Sequence, residues 1–174
     1  AEQYKRGLMG RDSAGLYWRM DQNVVPQTFG NYAVGLQTNT TTFTGSLTTG
    51  WAQTSTITIA TASSTATINA GDVIQIANVY AVNPQNRQAY GGNKLRNFVV
   101  QSTANLTTGG VSVTVSPAII TGGQFQNVTV TSTSTTATVT PFANSGQVSP
   151  QNIMLHKNAF TLATADLELP DGVH

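Results

Sequence analysis

Two histidines, seven carboxylates and no cysteine carry most of this chain's capacity for acid–base, nucleophilic or metal chemistry. Such chemistry needs groups of tuned pKa held within hydrogen-bond reach of one another. The supply is scattered. His156 stands alone in a C-terminal segment, and His174 is the last residue. A lone histidine is usually a surface or packing residue. Serines are plentiful, but none sits in a Gly-x-Ser-x-Gly elbow and no His/Asp set is spaced to serve one. With no cysteine, disulfides and thiolate metal sites are excluded. Asp166, Glu168 and Asp171 lack the spacing and glycine of a calcium-binding EF-hand loop and read as a solvated acidic face. Gly91-Gly92, Gly109-Gly110 and Gly122-Gly123 fit no phosphate-loop frame and read as turns. Asn39-Thr40-Thr41, Asn105-Leu106-Thr107 and Asn127-Val128-Thr129 match the glycosylation acceptor pattern, as chance provides in a chain so rich in Asn and Thr. The expectation is a protein that is not an enzyme, with no catalytic residues, no cofactor and no metal.

One cluster has a functional reading. Arg87, Lys94 and Arg96 surround a polar loop that also holds Tyr90. The loop is either a solvated hairpin tip or a contact loop for a neighbouring subunit or another part of the same subunit. Both readings stay open at the level of sequence.

The elements that position this loop follow from composition. Charged residues make up 9% of the chain, against about 25% in average globular domains. Residues 1 to about 35 hold four of the eight basic and three of the seven acidic residues. From about 40 to 147 only Asp72, Arg87, Lys94 and Arg96 are charged, and charge returns from about 148 with Lys157, Asp166, Glu168 and Asp171. An uncharged block between two more ordinary segments is the pattern of an inserted domain. The divisions expected are an N-terminal flank at 1–40, an inserted β-domain at 41–147 and a C-terminal flank at 148–174.

The block reads as short strands. Thr56-Ile57-Thr58-Ile59 alternates with period two, Ala66 and Ile68 repeat this, and Val111-Ser112-Val113-Thr114-Val115 is the clearest case. Val73 to Val82 is a longer strand whose alternation slips at Ala77-Asn78, where a bulge or bend is expected. Leu95 to Gln101, Val128 with Val130, and Ala137 with Val139 complete the set. Gly71-Asp72, Asn83-Pro84-Gln85-Asn86, Asn105 to Gly110 and Gly122-Gly123 punctuate it. The intervals are too short for helical crossovers, so the prediction is one antiparallel barrel or sandwich. Ile57, Ile59, Ile74, Ile76, Val113, Val115, Val128 and Val130 should point inward. In the flanks, Glu2 to Met9 reads as a short helix stopped by Gly10, and Gly15 to Met20 as extended. Ser149 as cap and Pro150 in the first turn open a second expected helix, Pro150 to about Ala165. Together these readings define a mainly β fold flanked by short α+β segments.

A net charge of +1 supplies no basic field for nucleic acid or an acidic membrane surface. No apolar run approaches the roughly 20 residues of a membrane helix, and the polar stretch Ala1 to Arg6 has no signal-peptide core. The missing start Met and the abrupt end at His174 lead us to expect a trimmed or processed chain.

Order and spacing of several segments resemble one family. Ala70-Gly71-Asp72-Val73-Ile74-Gln75-Ile76-Ala77-Asn78-Val79-Tyr80-Ala81-Val82-Asn83-Pro84, followed by Leu95-Arg96-Asn97-Phe98-Val99-Val100, resembles coat proteins of short-tailed phages of the P-twenty-two type. Val113-Thr114-Val115-Ser116-Pro117 is similar to the next strand with its closing proline. Gly10-Arg11 with Ala14-Gly15-Leu16 resembles the stretch that precedes the family's insertion. Gln151-Asn152-Ile153-Met154-Leu155-His156-Lys157-Asn158-Ala159-Phe160-Thr161-Leu162-Ala163 resembles the helix that resumes the capsid core after it. The resemblance covers nearly the whole chain.

What it implies is a fragment of a major capsid protein, centred on an inserted β-barrel domain and flanked by pieces of the capsid core domain. The parent would form homo-oligomeric icosahedral shells, with scaffolding and portal proteins as partners, and would reside in the virion after assembly in the host cytoplasm. The rival reading from composition is a Thr-rich β-sandwich module of a tail fibre or adhesin that recognises glycans.

Overall fold

The computed structural model describes residues 7–32, 36–38, 50–62, 66–131, 136–156 and 158–162. The chain divides into two compact units, one formed by Ala1–Val25 with Gln151–His174 and one by Pro26–Pro150. The second unit is therefore wider than the 41–147 block expected from charge.

In the first unit β1 (Leu8–Arg11) pairs antiparallel with β2 (Tyr17–Arg19). Gly15 sits at φ 84° in the connecting turn, and Asp12 closes it by donating its amide to the Leu16 carbonyl and accepting the Gly15 amide, both at 2.9 Å. Gly15 to Met20 is thus extended as expected. The helix expected over Glu2 to Met9 is corrected where it is described: Leu8 and Met9 lie in β1, and residues 1–6 fall outside the described residues.

The second unit is a β-barrel. Its strands are β3 (Pro26–Thr28), β4 (Leu36–Thr38), β5 (Ser55–Thr61), β6 (Thr67–Ile68), β7 (Val73–Ala81), β8 (Leu95–Val100), β9 (Ala104–Asn105), β10 (Val111–Ser116), β11 (Val128–Val130), β12 (Thr138–Pro141) and β13 (Val148–Pro150). Strands β7, β12, β4, β5, β10 and β8 form a closed antiparallel ring, because β8 pairs back onto β7. Closure leaves these six strands no free edge. Strand β11 adds to the far half of β7, β13 pairs with β3, and β6 pairs with β9.

Alternation decides which side chains fill the ring. Ile57, Ile59, Ile74, Ile76, Val113, Val115 and Val128 are buried together with Leu36, Val79, Phe98, Val100 and Val139. Burying one such side chain contributes roughly 1.5–3 kcal/mol. Val130, on the same strand β11 as the buried Val128, is only half-buried and packs against this cluster from its edge. The expected irregularity in β7 is present. Asn78 has φ 66°, and the register with β8 jumps from Gln75 opposite Asn97 to Tyr80 opposite Leu95. The bulge lets the first half of β7 pair with β12 and the second half with β11.

The C-terminal helix expected from Pro150 is also corrected. Pro150 ends β13, and no described residue from 151 to 162 is helical. The large apolar residues whose helical spacing motivated it are bare: Ile153, Met154 and Phe160 are each at least 77% exposed. An isolated helix of about 15 residues is marginal in water without a packed face.

Candidate functional site

The sequence pointed to one loop, and the fold makes it the tip of the β7–β8 hairpin. Beyond Ala81 the hairpin continues through a Val82–Ala89 bridge. Asn83 accepts the Arg87 amide at 2.8 Å on its carbonyl and donates its own amide to Gln88 at 2.9 Å. Its side-chain Oδ1 accepts the Gln85 amide at 2.9 Å, and Asn86 Oδ1 accepts that of Gln88 at 3.0 Å. A second turn follows, in which the Tyr90 amide donates to Ala81, that of Asn93 to Tyr90 and that of Ala81 to Lys94. Asn and Pro are the residue types expected to build such turns.

Two non-glycine residues of the tip adopt left-handed backbone conformations, Arg87 at φ 57° and Asn93 at φ 48°. Asn tolerates this region. Arg gives up about 1–2 kcal/mol there relative to glycine, so the backbone of the tip is held by its hydrogen bonds.

Tyr90, Lys94 and Arg96 line one cleft of about 520 Å³ with Ala81, Leu95 and Asn97. Arg87 is not among its lining residues but lies exposed on the same hairpin. The fold thus brings three of the four sequence-predicted residues to one cleft. Lys94 is exposed, Arg96 half-buried and Tyr90 45% exposed. A surface of this kind can hold anionic groups between cations and set an apolar group against the tyrosine ring. Its lining includes no carboxylate and no histidine.

A second polar centre went unread in the sequence, where Asp72 passed for a turn residue. Asp72 is fully buried. Its Oδ2 accepts the Gly30 amide at 3.1 Å, the Asn69 amide at 2.8 Å and the Tyr32 hydroxyl. Its Oδ1 is buried without a hydrogen-bond partner among the described residues. Burial, reinforced by the hydrogen bond to Asp72 and by its negative charge, pushes the Tyr32 phenol well above its ordinary pKa. Gly30 is obligatory here, since a Cβ would come within 2.3 Å of the Thr67 carbonyl oxygen. The network ties the segment after β3 to the turn before β7. The one available clue was that Asp72 is the sole acid between 40 and 147.

Asn127 was also missed. Its side chain donates to the Ala118 carbonyl at 2.6 Å and accepts the Ile120 amide at 3.0 Å, so the amide staples the loop before β11. Asn105 is exposed, and Asn39 lies outside the described residues. His156 is exposed and accepts the Asn158 amide at 3.3 Å on Nδ1. His174, Asp166, Glu168 and Asp171 lie outside the described residues. Among the described residues no three His, Asp or Glu side chains come together.

Compared with protein-family models, the chain matches none. Compared with curated proteins, it likewise matches none.

Proposed function

We propose that this chain is the inserted β-barrel domain of a tailed-phage major capsid protein, together with short pieces of the core domain that carries it. The observation that carries the reading is the path of the chain. Pro26–Pro150 forms one compact unit, while the segments before and after it belong together in another. The strands at the two ends of the barrel unit pair with each other, Pro26 opposite Pro150. Immediately outside them the Gln151 amide donates to the Val25 carbonyl at 3.2 Å. A domain whose two ends run side by side can be inserted into a host fold without disturbing it.

The flanks add a second support. Met9, Tyr17, Trp18, Met20, Ile153, Met154, Phe160 and Leu162 are each more than half exposed. Apolar residues in this density are buried in a completed fold or an interface. A capsid core domain and its capsomer neighbours would supply that cover. The function is then mechanical: repeated subunit interfaces set curvature and closure, the barrel steadies the subunit, and no catalysis is involved. Scaffolding and portal proteins are the partners the resemblance implies.

Producing the parent protein that contains this segment and fractionating it by sedimentation tests the reading. Shell-sized particles visible by electron microscopy are expected, alone or with a co-produced scaffolding protein. A parent that stays monomeric in both settings and binds glycans would overturn it in favour of an adhesin module.

A further inference from the structure

The barrel unit distributes its charge in a way that packing does not require. Between Pro26 and Pro150 the only charged residues are Asp72, Arg87, Lys94 and Arg96. Asp72 is buried and engaged by Gly30, Asn69 and Tyr32. All solvent-facing formal charge of the unit is therefore positive and falls within ten residues of one hairpin. The unit contains no second carboxylate that these cations could pair with. Arg87 moreover occupies a left-handed backbone position that favours glycine or asparagine, and non-glycine residues in that region concentrate at functional sites.

We propose that the β7–β8 hairpin docks a carboxylate-rich segment of a partner protein. Lys94 and Arg96 take carboxylates on either side of the cleft, Arg87 takes one at the tip, and the Tyr90 ring with Leu95 receives an apolar side chain between them. The hydrogen-bonded turns fix the backbone that carries the cations before binding, so little backbone ordering is lost on docking. Three charges are too few for a nucleic-acid surface, where affinity grows with the number of phosphates neutralised. An apolar floor between cations instead suits a peptide alternating acidic and aliphatic residues. The inference does not depend on the capsid reading, because it uses only the charge and geometry of the barrel.

Fluorescence anisotropy with the full 174-residue chain and a labelled peptide of alternating Glu and Leu tests it, beside an oligonucleotide of equal charge. The peptide should bind and weaken about fivefold or more when salt rises from roughly 50 to 300 mM. The triple variant Arg87→Gln, Lys94→Gln, Arg96→Gln should lose about tenfold or more, with the barrel's circular dichroism unchanged. Arg87→Gly guards against misfolding, since glycine suits φ 57° there, and it too should weaken the peptide. Tyr90→Ala should weaken the Glu-Leu peptide more than polyglutamate. Undiminished peptide binding by the triple variant or by Arg87→Gly, tighter binding of the oligonucleotide, or no peptide binding at low salt would each overturn the proposal.

Discussion

Asp72 survives as the one acid of a nearly uncharged barrel because three donors converge on a single oxygen, Gly30 and Asn69 through their amides and Tyr32 through its hydroxyl. Burying a carboxylate is costly unless it is so engaged. Asp72→Ala would strand those donors, and the expected loss is about 3 kcal/mol of unfolding free energy by urea titration. Tyr32→Phe removes one donor and should cost about half as much. Tyr32 also predicts a pH dependence. Its folded pKa lies above its unfolded value of about 10, chiefly through burial and then through Asp72. The stability it contributes is therefore fully present below pH ~10 and is lost as pH rises toward the folded value. Thermal melts should show an alkaline fall in stability beginning near pH 10, and Tyr32→Phe should flatten it. An identical alkaline profile in the variant would disprove this role. The long-range half of the network is not legible in sequence, because Gly30 and Tyr32 lie some forty residues before Asp72 and only the barrel brings them together.

At the scale of elements, period-two alternation located β5, β6, β7, β8, β10, β11 and β12, because burial on one face of a sheet imposes it directly, but not the short strands β3, β4, β9 and β13, which span too few residues to show it. The same reading found the bulge in β7, since a slipped alternation at Ala77-Asn78 has a local cause. Asn78 at φ 66° predicts that Asn78→Gly is neutral or slightly stabilising. Asn78→Val should cost about 1–2 kcal/mol, because a β-branched residue is poorly tolerated in the left-handed region. Denaturant midpoints of the two variants, moving apart in that order, check it. Equal midpoints would show that the bulge is not held by the Asn78 backbone. Helical periodicity was a weaker guide. Ile153, Met154 and Phe160 have helix-like spacing, but spacing stabilises a helix only when a surface receives its apolar face, and here those side chains are exposed.

For the whole molecule, the closed ring implies uneven stability. Amides of Ile57–Ile59, Ile74–Ile76 and Val113–Val115 sit in strands paired on both sides and should exchange only on global unfolding. Amides of Leu8–Arg11, Tyr17–Arg19 and residues 151–156 belong to the other unit, whose described apolar residues are largely exposed, and should exchange much faster. Hydrogen exchange on the intact chain reads this directly, and equal protection in both sets would contradict it. The sequence alone determined that the middle of the chain is antiparallel β, which faces of its strands are buried, where its turns fall and which hairpin carries its exposed charge. These depend on local pattern, and each is set by residues close in the chain. Only the tertiary structure decided that six strands close into a ring, that Leu36–Thr38 joins it from outside the expected 41–147 block, that Asp72 is buried, and that no described residue beyond Pro150 is helical. Each of those depends on a partner far along the chain, or on the want of one, and the free energy of burial is settled only where the two surfaces meet.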